Sequence, residues 1–123
     1  MIPSIRTADV TGAVDFYTGK LGFEVVRSSE GNVAVTLGGE RLMLEAAGTF
    51  YSANYNDAIR ARLGTASPHA LYIEVPDLEP YYEKLQAAGV EVVDPLAPRP
   101  WGQSEFTVAD HDGNWLTFWS ATT

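Results

Sequence analysis

The chain has 123 residues, of which 46% are apolar, sixteen acidic, eight basic and none cysteine, for a net charge of −8 at pH 7. That length supports one domain; the charge turns away nucleic acid and anionic membrane surfaces and favours cationic ligands, although it also serves solubility alone; and the lack of Cys excludes disulfides, thiolate nucleophiles and Cys-based metal sites. The first residues lack the charged-then-apolar pattern of a leader, and no apolar run approaches a membrane span, so a cytoplasmic location is the default expectation.

A strand-like run, Ile2–Thr7, comes first. Val10, Ala13, Val14 and Tyr17 follow at i, i+3, i+4 and i+7, one apolar stripe of a helix predicted over Thr11–Lys20. Asp9 or Thr11 caps its start and Gly22 suits its end. Three strand-like runs come next, Phe23–Arg27, Val33–Leu37 and Arg41–Ala46, separated by the turn signals Glu30-Gly31-Asn32 and Gly38-Gly39. Residues 48–67 read as a linker with a short helix near Asp57–Leu63, because Ile59 and Leu63 are four apart.

The same order then repeats. Ala70–Val75 reads as a strand, and Asp77 opens a helix over Leu78–Ala88 whose stripe is Leu78, Tyr81, Tyr82 and Leu85. Gly89-Val90-Glu91-Val92-Val93 echoes Gly22-Phe23-Glu24-Val25-Val26. Strands are expected at Val90–Val93, Glu105–Val108 and Trp115–Ser120, with a turn at Asp112-Gly113. Pro95–Gly102, with three prolines, reads as an irregular loop. The expected fold is therefore α+β: one domain over 1–123, built from two βαβββ modules, 1–47 and 68–123, related by pseudo-twofold symmetry.

Two stretches carry a family resemblance. Asp9-Val10-Thr11-Gly12-Ala13-Val14-Asp15-Phe16-Tyr17 leads to Lys20-Leu21-Gly22-Phe23, and Arg99-Pro100-Trp101-Gly102-Gln103-Ser104-Glu105-Phe106 precedes Asp110-His111-Asp112-Gly113-Asn114. With the two modules, these resemble the glyoxalase/bleomycin-resistance/dioxygenase (vicinal oxygen chelate) superfamily, and within it the bleomycin-resistance branch. The resemblance implies an antibiotic-binding homodimer with ligand clefts at the subunit interface, and an N-terminal strand exchanged near Pro3. Small size also favours pairing with a second copy.

Strand alternation sorts the faces without that help. Leu42 and Leu44, Leu71, Ile73 and Val75, and Leu116 and Phe118 form aliphatic or Phe sets that suit helix packing. The opposite sets are mixed: Arg41, Met43 and Glu45; Ala70, Tyr72 and Glu74; Trp115, Thr117 and Trp119. So many large apolar groups together point to a cleft or an interface rather than open water. The expected ligand-binding residues are Trp101, Trp115, Trp119, Tyr72, Met43 and Tyr51, with Glu45 and Glu74 supplying negative charge. The competing reading of Trp101 is a loop anchor packed into the core. Tyr51 belongs to the stretch Phe50–Asn56, which reads as a lid.

The resemblance also implies where a catalytic metal would sit: seven residues before each helix-opening Asp, at Ile2 and Ala70, and on the last strand of each module, at Met43 and Thr117. None of these can build a hard nitrogen and oxygen site, so neither a metal nor any other cofactor is expected. His69 is one residue off, which turns a strand side chain to the other face; His111 sits in a turn. Neither a Gly-rich phosphate loop nor a Gly-x-Ser-x-Gly elbow occurs. The expected function is metal-independent sequestration of a cationic, aromatic drug. The alternative is an enzyme of this superfamily with an atypical site using Glu45, Glu74, Tyr72 or His69; a small-molecule sensor also remains open.

Overall fold

Two short helices that each bury one stripe, and strands that alternate apolar and mixed faces, need a sheet to cover. In the computed structural model, which describes residues 1–47, 52–63 and 69–122, each half has one. The chain divides into two compact units, Met1–Thr65 and Ala66–Thr123.

The first unit contains β1 (Ser4–Thr7), α1 (Val10–Asp15, continuing as a π-helical turn through Phe16–Lys20), β2 (Glu24–Ser29), β3 (Asn32–Leu37), β4 (Glu40–Ala46) and α2 (Ala53–Arg62). Its strands lie in the order β1-β4-β3-β2. β1 runs parallel to β4 and the other neighbours are antiparallel. Asp9 caps α1 as expected, its Oδ1 accepting from the Gly12 amide at 3.0 Å. A side chain at Gly12 would place Cβ 2.5 Å from Asp9 Oδ2, so the capping carboxylate would have to shift to admit one. Ala13, Tyr17 and Leu21 are fully buried, and the Tyr17 ring meets Phe23 edge-on at 5.3 Å.

The predicted single helix over 11–20 widens at Phe16 into the π-helical turn. There the Thr18 hydroxyl donates to the Val14 carbonyl at 2.7 Å, and the Leu21 amide reaches the Phe16 carbonyl at 3.2 Å. α2 begins four residues earlier than the apolar spacing suggested, because the Ser52 hydroxyl accepts from the Tyr55 amide at 3.3 Å and fixes the start. No residue of α2 is buried. It is tied to β1 by Arg6, which donates from Nη2 to the Tyr55 hydroxyl at 2.9 Å and lies 5.4 Å from that ring's centre.

The second unit repeats the topology with β5 (Ala70–Glu74), α3 (Leu78–Ala87), β6 (Glu91–Arg99), β7 (Gln103–Ala109) and β8 (Trp115–Ala121), in the order β5-β8-β7-β6. Again the first and last strands pair in parallel. Register brings Leu71, Leu116 and Val108 into one row and Ile73, Phe118 and Phe106 into the next. The stripe of α3 covers them. Tyr81 meets Phe118 at 4.9 Å, Tyr82 meets Phe106 at 4.7 Å, and Leu78 and Leu85 are buried. Asp77 stands at the α3 start without a side-chain capping bond, unlike Asp9.

One sequence expectation fails here. Pro95–Gly102 is not a loop throughout: β6 runs on to Arg99, with register shifts between Val92 and Asp94 and between Asp94 and Ala97. β6 is an edge strand, where a proline leaves no required ladder bond unmade. Among the described residues no helix is long and apolar enough to cross a membrane.

Burial pushes the Tyr81 phenol well above the ordinary tyrosine value. The folded state therefore holds this proton when the unfolded chain has released it. Stability is unaffected below about pH 10 and falls as pH rises beyond it. Between pH 9 and 11 the urea midpoint of the parent is expected to fall relative to that of Tyr81→Phe as pH rises; parallel profiles would contradict the sign.

Candidate functional site

The mixed face of the second unit's sheet is set by register. Tyr72, Thr117 and Thr107 form one row; Ala70, Trp115 and Ala109 lie on one side of it, and Glu74, Trp119 and Glu105 on the other. Asp94 pairs with Thr107 and Arg99 with Gln103 along β6. An open cleft of about 650 Å³ lies over part of this face. Its floor is Tyr72, Thr117, Thr107 and Trp115; Asp94, Arg99, Pro100 and Trp101 form a wall, and Glu105 lines it from the central strand β7.

Trp101 stands on the turn that reverses β6 into β7. The Gly102 amide donates to the Arg99 carbonyl at 3.3 Å, and Gly102 has φ of +86°, a backbone only glycine adopts freely. The turn leaves Trp101 63% exposed, alongside Tyr72 at 56% and Trp115 at 46%. The loop-anchor reading of Trp101 is therefore not what the fold does. The indole Nε1 donates to Glu105 Oε1 at 2.9 Å, and Gln103 Nε2 donates to the same oxygen at 3.2 Å. Arg99 Nη2 pairs with Asp94 Oδ2. Beneath, the Thr107 and Thr117 hydroxyls share a buried hydrogen bond of 2.7 Å.

Of the residues singled out from sequence, Tyr72, Trp101 and Trp115 converge on this cleft. Trp119, half-buried, and Glu74, exposed, share the face but do not line the cleft. Glu45 and Met43 lie on the equivalent face of the first unit's sheet. Glu45 is 5% exposed, with Arg6 Nε at 3.3 Å and Asn32 Nδ2 at 3.1 Å. Tyr51 lies outside the described residues, as does Phe50 of the expected lid; Ala53–Asn56 of that stretch belong to α2.

Sequence reasoning missed Glu105, Thr107, Asp94 and Arg99. Alternation against Phe106 and Val108 was signal enough for the first two. The bulges in β6 break the parity that would have found the others.

The positions at which the resemblance implies metal ligands do not fit a metal. Ala70 pairs with Trp115 in the cleft, the Thr117 hydroxyl is engaged by Thr107, Met43 is a thioether beside Ser4, and Ile2 precedes β1. His69 precedes β5, and His111 in the β7–β8 turn has Nε2 3.2 Å from Asp112 Oδ2. Among the described residues no group of three or more His, Asp or Glu is arranged to hold a metal ion.

The stretch Asp110–Asn114 acts structurally. Asp110 is buried and its carboxylate accepts from the Asp112 amide at 2.9 Å, the Asn114 amide at 2.8 Å and Asn114 Nδ2 at 2.9 Å. It thereby closes the turn that holds Trp115 at the start of β8. Asp110→Ala is expected to destabilise the fold by about 2 kcal/mol in urea denaturation, the scale of several charge-assisted bonds lost from a part-buried turn. An unchanged midpoint would contradict this role.

A second concavity of about 510 Å³ is lined by Leu78, Pro80, Leu96, Pro98, Ser104 and Ser120 with Ala97 and Glu79, and among the described residues no aromatic ring lines it. A family model described as Glyoxalase/Bleomycin resistance protein/Dioxygenase superfamily matches residues 3–118. Proteins named bleomycin resistance protein from Geobacillus stearothermophilus and Staphylococcus aureus are each 26% identical over 122 residues, covering 95% of this chain and 92% of theirs. The crystal structure of UcmS2 is 28% identical with a TM-score of 0.76, covering 96% of this chain and 94% of that one. The bleomycin resistance determinant encoded on transposon Tn5 shares the fold, with a TM-score of 0.75 over 100% of this chain and 98% of that one, at 18% identity.

Proposed function

The chain belongs to the glyoxalase/bleomycin resistance protein/dioxygenase superfamily, and we propose that within it this protein sequesters a cationic, aromatic drug without metal or turnover. The observation that carries this reading is the exposure of Tyr72, Trp101 and Trp115 together on one cleft. Flat ligands stack on such rings, and the net charge of −8 draws cations toward them. The name of the relatives supports a drug as the ligand. The donor chemistry at Ala70 and Thr117 favours binding over metal-assisted catalysis. The enzymatic alternative has less support, because Glu45 is engaged by Arg6 and Asn32 in the first unit while Glu74 and His69 do not line the cleft.

The protein works as a homodimer whose isologous interface completes two equivalent clefts. Exposed Met1, Ile2, Val25 and Val26 of the first unit offer apolar surface for such pairing to bury. Sequestration needs a dissociation constant of roughly micromolar or tighter, about −8 kcal/mol. Titrating the untagged protein with metal-free bleomycin should quench tryptophan fluorescence with one ligand per chain. A dimer is expected in sedimentation at tens of micromolar, and elemental analysis should find no stoichiometric transition metal. No binding of bleomycin or of any other basic aromatic drug would remove the assignment; a full equivalent of metal would revive the enzyme.

A further inference from the structure

We propose that Glu105 is the cation-binding point of this cleft, and that it selects ligands whose positive nitrogen sits at the edge of a flat aromatic group. The inference rests on the small-molecule reading above and adds the residue and the ligand chemistry that decide selectivity.

Glu105 is 5% exposed, on a central strand, and lines the cleft. Its Oε1 accepts from Trp101 and Gln103, both neutral donors. Its Oε2 has no hydrogen-bond donor among the described residues, and no Lys, Arg or His forms a salt bridge with it there. Among the described residues, three charged side chains line the cleft: Asp94, Glu105 and Arg99. Arg99 pairs with Asp94, which leaves the charge of Glu105 unmatched.

Glu45 in the first unit makes the contrast. It is equally buried, but Arg6 lies beside it. A carboxylate withdrawn from water without a counter-charge is costly, and a ligand cation in the cleft relieves that cost. The Trp101 nitrogen is 2.9 Å from the same carboxylate, so ring and charge are held side by side. A ligand whose cation adjoins its flat group meets both at once; a neutral ligand meets only the ring.

Acridine and 9-aminoacridine test this. They are flat and nearly the same shape, and at neutral pH the first is uncharged and the second a cation. Calorimetric titration of the full chain should give roughly tenfold or more tighter binding of 9-aminoacridine, the scale of a charge pair in a desolvated site. Glu105→Gln, which keeps an oxygen for Trp101, should lose that preference, through weaker binding of 9-aminoacridine. Glu74→Gln, a carboxylate on the same face outside the cleft, should keep it. Should Glu105→Gln fail to fold, Trp101→Phe provides the second arm: both ligands bind more weakly, yet the preference for the cation persists. Equal binding of both acridines by the parent overturns the role of Glu105 and leaves the cleft reading standing. Binding of neither acridine overturns the role of Glu105, and if bleomycin also fails to bind, the cleft reading falls with it. A preference that survives Glu105→Gln, vanishes in Glu74→Gln or vanishes in Trp101→Phe also overturns it.

Discussion

Phe118→Ala is expected to lower the stability of the folded protein by about 3–5 kcal/mol, the range for deleting a buried aromatic ring and leaving a cavity. Phe118 is fully buried on β8, with Tyr81 at 4.9 Å and Phe106 at 5.4 Å. Its neighbours are held in register by β5 and β7, so the gap closes only in part. Against a typical total of about 5–15 kcal/mol for a domain, a loss of this size leaves little reserve. Urea denaturation by circular dichroism measures it; a loss under about 1 kcal/mol would mean that the β8 core is not packed as described. Because Thr117 and Trp119 flank Phe118 on the opposite face, the same substitution should also weaken the cleft, through disorder of β8 rather than lost contact.

The fold was largely legible because it depends on periodicity. The stripes Val10–Tyr17 and Leu78–Leu85 mark the helices, Gly22 and Gly89 end them with φ of +81° and +76°, and alternation separates Leu116 and Phe118 from Trp115 and Thr117. What periodicity cannot carry is where sequence and structure part. The β6 bulges change parity within a proline-rich run, and the Thr18 hydroxyl opens a π-helical turn that no apolar spacing marks.

The site was legible as a face but not as a set of partners. Glu45 shows why. Alternation puts it on the mixed face as an available charge, yet the parallel register of β1 against β4 sets Arg6 beside it. Glu105 is the converse: a strand residue that sequence reasoning passed over, although alternation against Phe106 sets it on the mixed face, and one that no Lys, Arg or His among the described residues bridges.

The second large effect concerns binding. Trp101→Ala and Trp115→Ala are each expected to weaken the affinity for a cationic aromatic drug by about 1–3 kcal/mol, roughly 5- to 150-fold. Trp101 should lie toward the upper end, since it is the more exposed ring and the one bonded to Glu105. Neither change should cost much stability, because both rings are exposed. Trp119→Ala is expected to act in the opposite proportion, with a smaller effect on affinity and a larger one on folding, since Trp119 is half-buried and does not line the cleft. Isothermal titration of the three variants, with urea midpoints in parallel, separates the two kinds of loss. Equal losses of affinity at all three positions would mean that the ligand covers the whole face rather than the cleft.

The three tryptophans also give the most direct measurement of the central claim, because each carries one indole N–H that reports its own surroundings. In a titration of ¹⁵N-labelled protein with metal-free bleomycin, the Trp101 and Trp115 indole resonances should move or broaden first and most, with Trp119 lagging well behind. Shifts confined to Trp119, or three indole resonances that stay in place while the drug binds, would contradict a cleft built from Tyr72, Trp101 and Trp115.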